Sequence, residues 1–403
     1  MHLPTNGKGW RLVLLSVAAL MLLGPSAVSA AIKLHSPQTL TSPSTQTDGN
    51  FGSSVAVAKG VRVVGAPGES GGGFDGAGHV YIFRSGRAYT LTSPTPQTNG
   101  GFGSSVAVSD GRVVVGAPKE QSGGTLSAGN AYVYSEKTGL LLFSLTTPNP
   151  QEFGRFGAAV AVGGGLVLVA APDEWPGGVK AAGDIYVFSA KTGAYLYSIS
   201  SPNAQASGNF GCSLDLAGGT LAVGAFDEDS GATVYAGNAY VYSISSGGSS
   251  LTYSLTSPSP EQNGRFGNSV GVGDGYVIVG APQEDGDGGP GSYSGSVYAF
   301  SLSTGLLVYA FNDPDLEVGA LFGWSVAIGG GLFVAGAPVG ESGSGVVYGF
   351  TTAGTLVQTL KSPNPVANGE FGYAEAVGAR QLLVGAYGET VLGVTGAGDA
   401  YKY

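Results

Sequence analysis

Two short motifs recur along this chain on a ruler that never slips. Phe-Gly pairs begin at Phe51, Phe102, Phe156, Phe210, Phe266, Phe322 and Phe371. Fourteen residues after each Phe a small triplet starts: Gly-Ala-Pro at Gly65, Gly116, Gly280 and Gly336, Ala-Ala-Pro at Ala170, Gly-Ala-Phe at Gly224 and Gly-Ala-Tyr at Gly385. Eight residues before each Phe stands a proline (Pro43, Pro94, Pro148, Pro202, Pro258, Pro314, Pro363). Segments that tolerate no insertion are those packed on both sides. Length varies only after the triplet and in the turn before the next proline, which marks those stretches as solvent loops.

Each repeat of roughly 50 residues reads as four short strands, a propeller blade. In the second repeat they are "FGSSVAVS", "RVVVGAP", "NAYVYS" and "LLFSLTTP". The first alternates small residues with Val or Leu (Val55 and Val57, Val106 and Val108, Leu214 and Leu216), as a strand between sheets requires. The glycine two residues before Phe (Gly49, Gly100, Gly154, Gly208, Gly264, Gly369) predicts a turn with positive φ, broken at Ala320. The last repeat stops on "AGDAYKY", which aligns with Ala128 to Tyr134 and has no fourth strand after it. Near the start, "TLTSP" (Thr39 to Pro43) matches Thr90 to Pro94 without three strands before it. The expectation is all-β: a seven-bladed propeller of four-stranded antiparallel blades, closed by the N-terminal strand beside Tyr401. With Cys212 the only cysteine, packing rather than disulfides must hold it.

Residues 1–30 read as a signal peptide, with Lys8 and Arg11 before an apolar run from Leu12 to Leu23 and small residues at Val28 and Ala30. That run falls short of the roughly 20 residues a membrane span needs. Residues 31–403 are therefore expected to be one exported domain, secreted, periplasmic or at the cell surface, without stable membrane insertion. Without Lys8 and Arg11, the chain's 17 basic residues drop to 15 against 27 acidic ones, a net charge of about −12. Such a balance argues against nucleic acid as a partner.

The paired motifs resemble the FG-GAP repeat family, best known from the propellers of integrin alpha-subunits, across residues 31–403. The resemblance implies a role in adhesion or recognition. It does not carry over the family's calcium loops: the turns between strands one and two ("VAKGV", "VSDGR", "VGGGL", "LAGGT", "VGDGY", "IGGGL", "VGARQ") are too short and hold at most one carboxylate. No cofactor is expected. The acid-dense loops with Asp227, Glu228 and Asp229, and with Glu284, Asp285 and Asp287, have the ligand type for calcium, although solvated charge on a surface loop is the simpler account of them.

Carboxylates recur four residues past the start of the triplet, at Glu69, Glu120, Glu174, Glu228, Glu284 and Glu389, with Glu341 one position late. Strand order puts them on the face of the Pro-Gln-Asn linkers. Either each caps its own loop by accepting backbone N–H bonds, or together they form a ligand rim, with Trp175 as a platform for a sugar or a partner. Asp313, Asp315 and Glu317 read as repeat drift. Glu375 and Asp215 interrupt apolar or small positions of strand one and need a local partner or a wet axis. Cys212 aligns with Ser53, Ser104 and Ala158 in a small core slot. Beyond the leader only His35 and His79 remain, in no recognisable triad, so the chain is expected to be a non-enzymatic binding module for an extracellular protein or glycan. A propeller lectin and a polysaccharide hydrolase or lyase are the alternatives, and no acid pair is singled out for the latter.

Overall fold

Small and β-branched residues at strict intervals fold into seven separate four-stranded antiparallel sheets. The computed structural model describes residues 34–84, 86–378 and 381–403. The proposed leader, residues 1–30, lies outside them. In blade two the strands are Ser105–Ser109, Arg112–Ala117, Asn130–Ser135 and Leu141–Thr146, hydrogen-bonded in that order. The seven innermost strands pack side by side, the first (Ser54–Ala58) against the last (Phe371–Gly378). That contact makes the seven-bladed propeller a ring. Closure follows the expected route: Gln38–Thr41 pairs antiparallel with Asp399–Lys402 in register Gln38↔Lys402 through Thr41↔Asp399, as the outer strand of blade seven. Among the described residues no helix is long and apolar enough to cross a membrane.

The two motifs are constant because they meet across blades. The Phe of each Phe-Gly pair is fully buried, with its ring 5.6–5.9 Å from a tyrosine of the third strand. The glycine after Phe has φ of 87–97° and turns its carbonyl onto the next contact. In six blades a Cβ on the triplet's first glycine would stand 1.9–2.1 Å from that carbonyl in the following blade, so only glycine fits. A serine paired with this glycine (Ser54, Ser105, Ser213, Ser269, Ser325) donates its hydroxyl to the same carbonyl at 2.6–2.9 Å. Blade three departs at both positions at once, with Ala159 opposite Ala170.

The glycine two before Phe does not have the expected positive φ. Its flanking residues do, from Asp48 (53°) and Asn50 (56°) in blade one to Asn368 (60°) and Glu370 (53°) in blade seven. The glycine is needed for space: a Cβ there would lie 2.8–3.2 Å from Cγ of the recurring glutamate. In blade six the glutamate position holds Gly340, and the glycine position holds Ala320, so the volume lost on one side is regained on the other.

Candidate functional site

The recurring glutamates stand beneath the loop face, not on it. Glu69, Glu120, Glu174, Glu228, Glu284 and Glu389 are all at most 1% exposed. All but Glu284 link two blades. Glu120 accepts the Ser93 hydroxyl from the linker leaving blade one (2.5 Å), and the Tyr132 hydroxyl (2.5 Å) and Asn130 amide (2.8 Å) of its own third strand. Glu228 accepts Ser201, Tyr240 (2.5 Å) and Asn238 (2.9 Å). Glu174 takes Thr147 (2.7 Å) and Tyr186, and Glu389 takes Ser362 and Tyr401 (2.5 Å). Glu69 takes Ser42 and Tyr81 (2.5 Å), with His79 Nδ1 at 2.9 Å, and so staples the closing strand to blade one. In blade five Glu284 accepts Tyr298 (2.6 Å) and its Oε1 is unpartnered. Burial pushes Glu174, Glu284 and Glu389 up to about 7 against the opposing pull of these hydroxyls. Neither reading of the glutamates foresaw side-chain hydroxyls as their partners.

Blade six rebuilds the staple from the other side. With no glutamate at position 340, the acceptor for Tyr348 is Asp315 at 2.8 Å, next to Asp313, which is 2% exposed. Asp313 also accepts the backbone N–H groups of Asp315 and Glu317. Drift is therefore the wrong account of these acids. Glu317 caps the backbone N–H of Glu341 (2.6 Å), as Gln97 and Gln151 cap Gln121 (2.7 Å) and Trp175 (2.9 Å).

The acid-dense loops spend their carboxylates separately. Asp227 lies 3.7 Å from Arg265 Nε, Asp229 accepts the Tyr235 N–H (2.9 Å), and Asp285 accepts Gly291 and Tyr293 (2.7 and 3.2 Å). Asp287 belongs to a single 3-10 turn, Gly286–Gly288. Among the described residues no group of three His, Cys, Asp or Glu is placed to hold a metal ion. Trp175 is 46% exposed beside the turn Pro176–Gly178, with Lys180 Nζ 5.9 Å from its ring centre.

The inner strands line an axial cavity of about 410 Å³. Asp215 finds the local partners it needs: Leu216 N–H (2.8 Å) and Val272 N–H of the next blade (2.7 Å), while burial pushes it up to about 6. Glu375 differs. Both its carboxylate oxygens are buried without a hydrogen-bond partner, and burial pushes it up to about 8. Cys212 sits in the expected slot, its Sγ 3.5 Å from the Gly267 carbonyl, and burial pushes its thiol up to about 12. His35 is exposed.

What remains uncovered is the loop face itself. The residue before the third strand's Ala-Gly or Ser-Gly is left-handed in every blade: Gly76, Gly343 and Gly396 in three, Ser127 and Ala181 in two, but Tyr235 (φ 51°) and Tyr293 (φ 48°) in the adjacent blades four and five. Phe153 (φ 60°) stands where other blades use Asp48, Asn99, Asn263 and Asn368, and Leu392 (φ 52°, 91% exposed) stands at a mini-hairpin tip that uses Gly72, Gly123 and Gly231 elsewhere. All four are exposed.

Seven blades, five of them stapled to a neighbour through a buried glutamate, with variable loops gathered at one end, define a β-propeller repeat protein. The chain carries FG-GAP repeats: the FG-GAP repeat model matches residues 36–83, 87–134 and 251–300. No curated protein matches the chain.

Proposed function

We propose that this chain is an exported or cell-surface recognition module that holds another protein by its loop face, and that its role is binding rather than catalysis. One observation supports this most: bulky side chains occupy left-handed backbone positions that sibling blades give to Gly, Asn, Asp or the small Ser and Ala. A tyrosine or leucine at positive φ costs on the order of 1 kcal/mol, and the exposed part of its side chain does nothing to offset that. Aromatic anchors on a rigid frame suit a partner's pocket. Replacing Tyr235 and Tyr293 with glycine, the residue of blades one, six and seven, should leave the ring as stable or more so. The same change should abolish capture of the partner from the producing cell's surface fraction. Undiminished capture would sink the proposal.

A lectin is the second reading, supported by the exposed Trp175 ring. A glycan array probed with the chain and with Trp175→Ala tests it: hits that survive the substitution count against a Trp175 sugar platform.

A further inference from the structure

The net charge of −10 conceals a segregation that strand order creates. Turns joining strands one to two and three to four lie at the end opposite the loop face. In blades one to three that end carries seven basic residues, Lys59, Arg62, Arg84, Arg87, Arg112, Lys137 and Lys191, against Asp110 and Glu136. In blades four to six the same turns carry a single charge, Asp274. Lys59, Arg87, Lys137 and Lys191 are exposed.

Three of these residues are placed at a cost to the fold. Arg84 and Arg87 face each other directly across the hairpin of blade one, a like-charge pair that destabilises a ladder. Glu136 of blade two neutralises only Arg84, at 2.9 Å. Arg62 occupies a position that Val113, Val167, Leu221, Val277, Phe333 and Leu382 fill in the other blades. Its Nε is buried and has no hydrogen-bond partner. A buried donor without an acceptor is unfavourable.

We propose that this end of blades one to three binds an anionic polysaccharide. The charges spread over three neighbouring blades rather than converging in a pocket, which fits a linear polymer better than a small anion. Guanidinium forks match carboxylate and sulfate groups geometrically. The choice of polysaccharide among polyanions rests on the exported-module reading above. The contact is electrostatic, so its affinity falls steeply with salt.

The test is retention of the purified chain on immobilised dextran sulfate and polygalacturonate, with neutral dextran and double-stranded DNA alongside, from 50 mM salt upward. Retention on at least one acidic polysaccharide, released by salt, is expected, with weaker binding to neutral dextran and DNA. The triple variant Arg87→Glu, Lys137→Glu, Lys191→Glu, all surface changes, should weaken it at least tenfold and flatten the salt dependence, with a melting temperature no lower than that of the original chain. Arg62→Val should also weaken it while leaving the ring folded. Equal retention of the triple variant, tighter binding to DNA, or no retention at low salt overturns the proposal. Tyr235→Gly and Tyr293→Gly lie on the opposite face and should not alter retention, so failure here and failure of the loop-face reading are separately visible.

Discussion

Removing Glu228 tests whether the staples stabilise the ring, because blade six has already shown how to live without one. Glu228→Gly strips the acceptor from the buried Ser201 and Tyr240 hydroxyls and leaves the Asn238 amide only the Asp229 carbonyl at 3.2 Å. Each orphaned group costs about 1–3 kcal/mol. Desolvation of the carboxyl, which burial raises above its ordinary range, is recovered in part. The net loss is roughly 4 kcal/mol. With an unfolding entropy of about 2 cal/mol/K per residue over a ring of about 370 residues, the melting temperature should fall by about 5 °C. Gly208→Ala alone should also destabilise, since its Cβ would lie 2.8 Å from Glu228 Cγ. In the Glu228→Gly background the same alanine fills a void and should turn neutral or stabilising, as Ala320 sits opposite Gly340. Adding Ser201→Asp and Asn203→Asp, the counterparts of Asp313 and Asp315, should recover at least half the loss. Thermal unfolding at pH 7 reads each step. If Gly208→Ala hurts equally in both backgrounds, or the quadruple variant melts with the single one, the staple is misassigned.

Three further outcomes follow from the same geometry. Glu174, Glu284 and Glu389 sit at about 7 in the fold against an ordinary 4.5, so the folded ring holds protons that the unfolded chain has released. Their contribution is fully present below about pH 4.5 and lost as pH rises through 7; a melting temperature that rises from pH 5 to pH 8 contradicts this. Glu375→Val, the residue of most other blades, should stabilise, and the gain should grow between pH 5 and pH 9 because the unpartnered carboxyl ionises only near pH 8. Deleting residues 34–43 uncovers Ala400 and Tyr401 and removes both Thr41–Asp399 (2.9 Å) and Ser42–Glu69. Urea unfolding should then begin at markedly lower concentration, and an unshifted midpoint would mean that the closing strand is dispensable.

Blade number, strand order and ring closure were legible because they are consequences of spacing, and spacing is visible in a single chain. The partner of Thr39 to Pro43 could be found by matching it against Thr90 to Pro94, since a strand must repeat its neighbours to pair like them. Direction was not visible. A glutamate recurring on a loop is equally compatible with facing solvent or a staple, and period alone does not distinguish them. The distinguishing signal lay further off: Ser or Thr stands 27 residues before every one of these glutamates, and Tyr stands 12 after five of the six. Three polar positions locked together over that distance require a contact between neighbouring blades, whereas a ligand rim would require only the acid. The glycine two residues before Phe is ambiguous for a related reason. Glycine is selected either for positive φ or for its missing Cβ, and only its pairing with Glu, exchanged for Ala320 with Gly340 in blade six, reveals the second cause. Glu375 leaves no such trace, because an acid that breaks a pattern once has no counterpart to vary with. The basic end of blades one to three was hidden by averaging: alternate turns of an antiparallel blade reach opposite ends of the ring, so net charge summed along the chain mixes two surfaces that never meet. Summing the turns by parity, odd with odd and even with even, separates them and needs no coordinates.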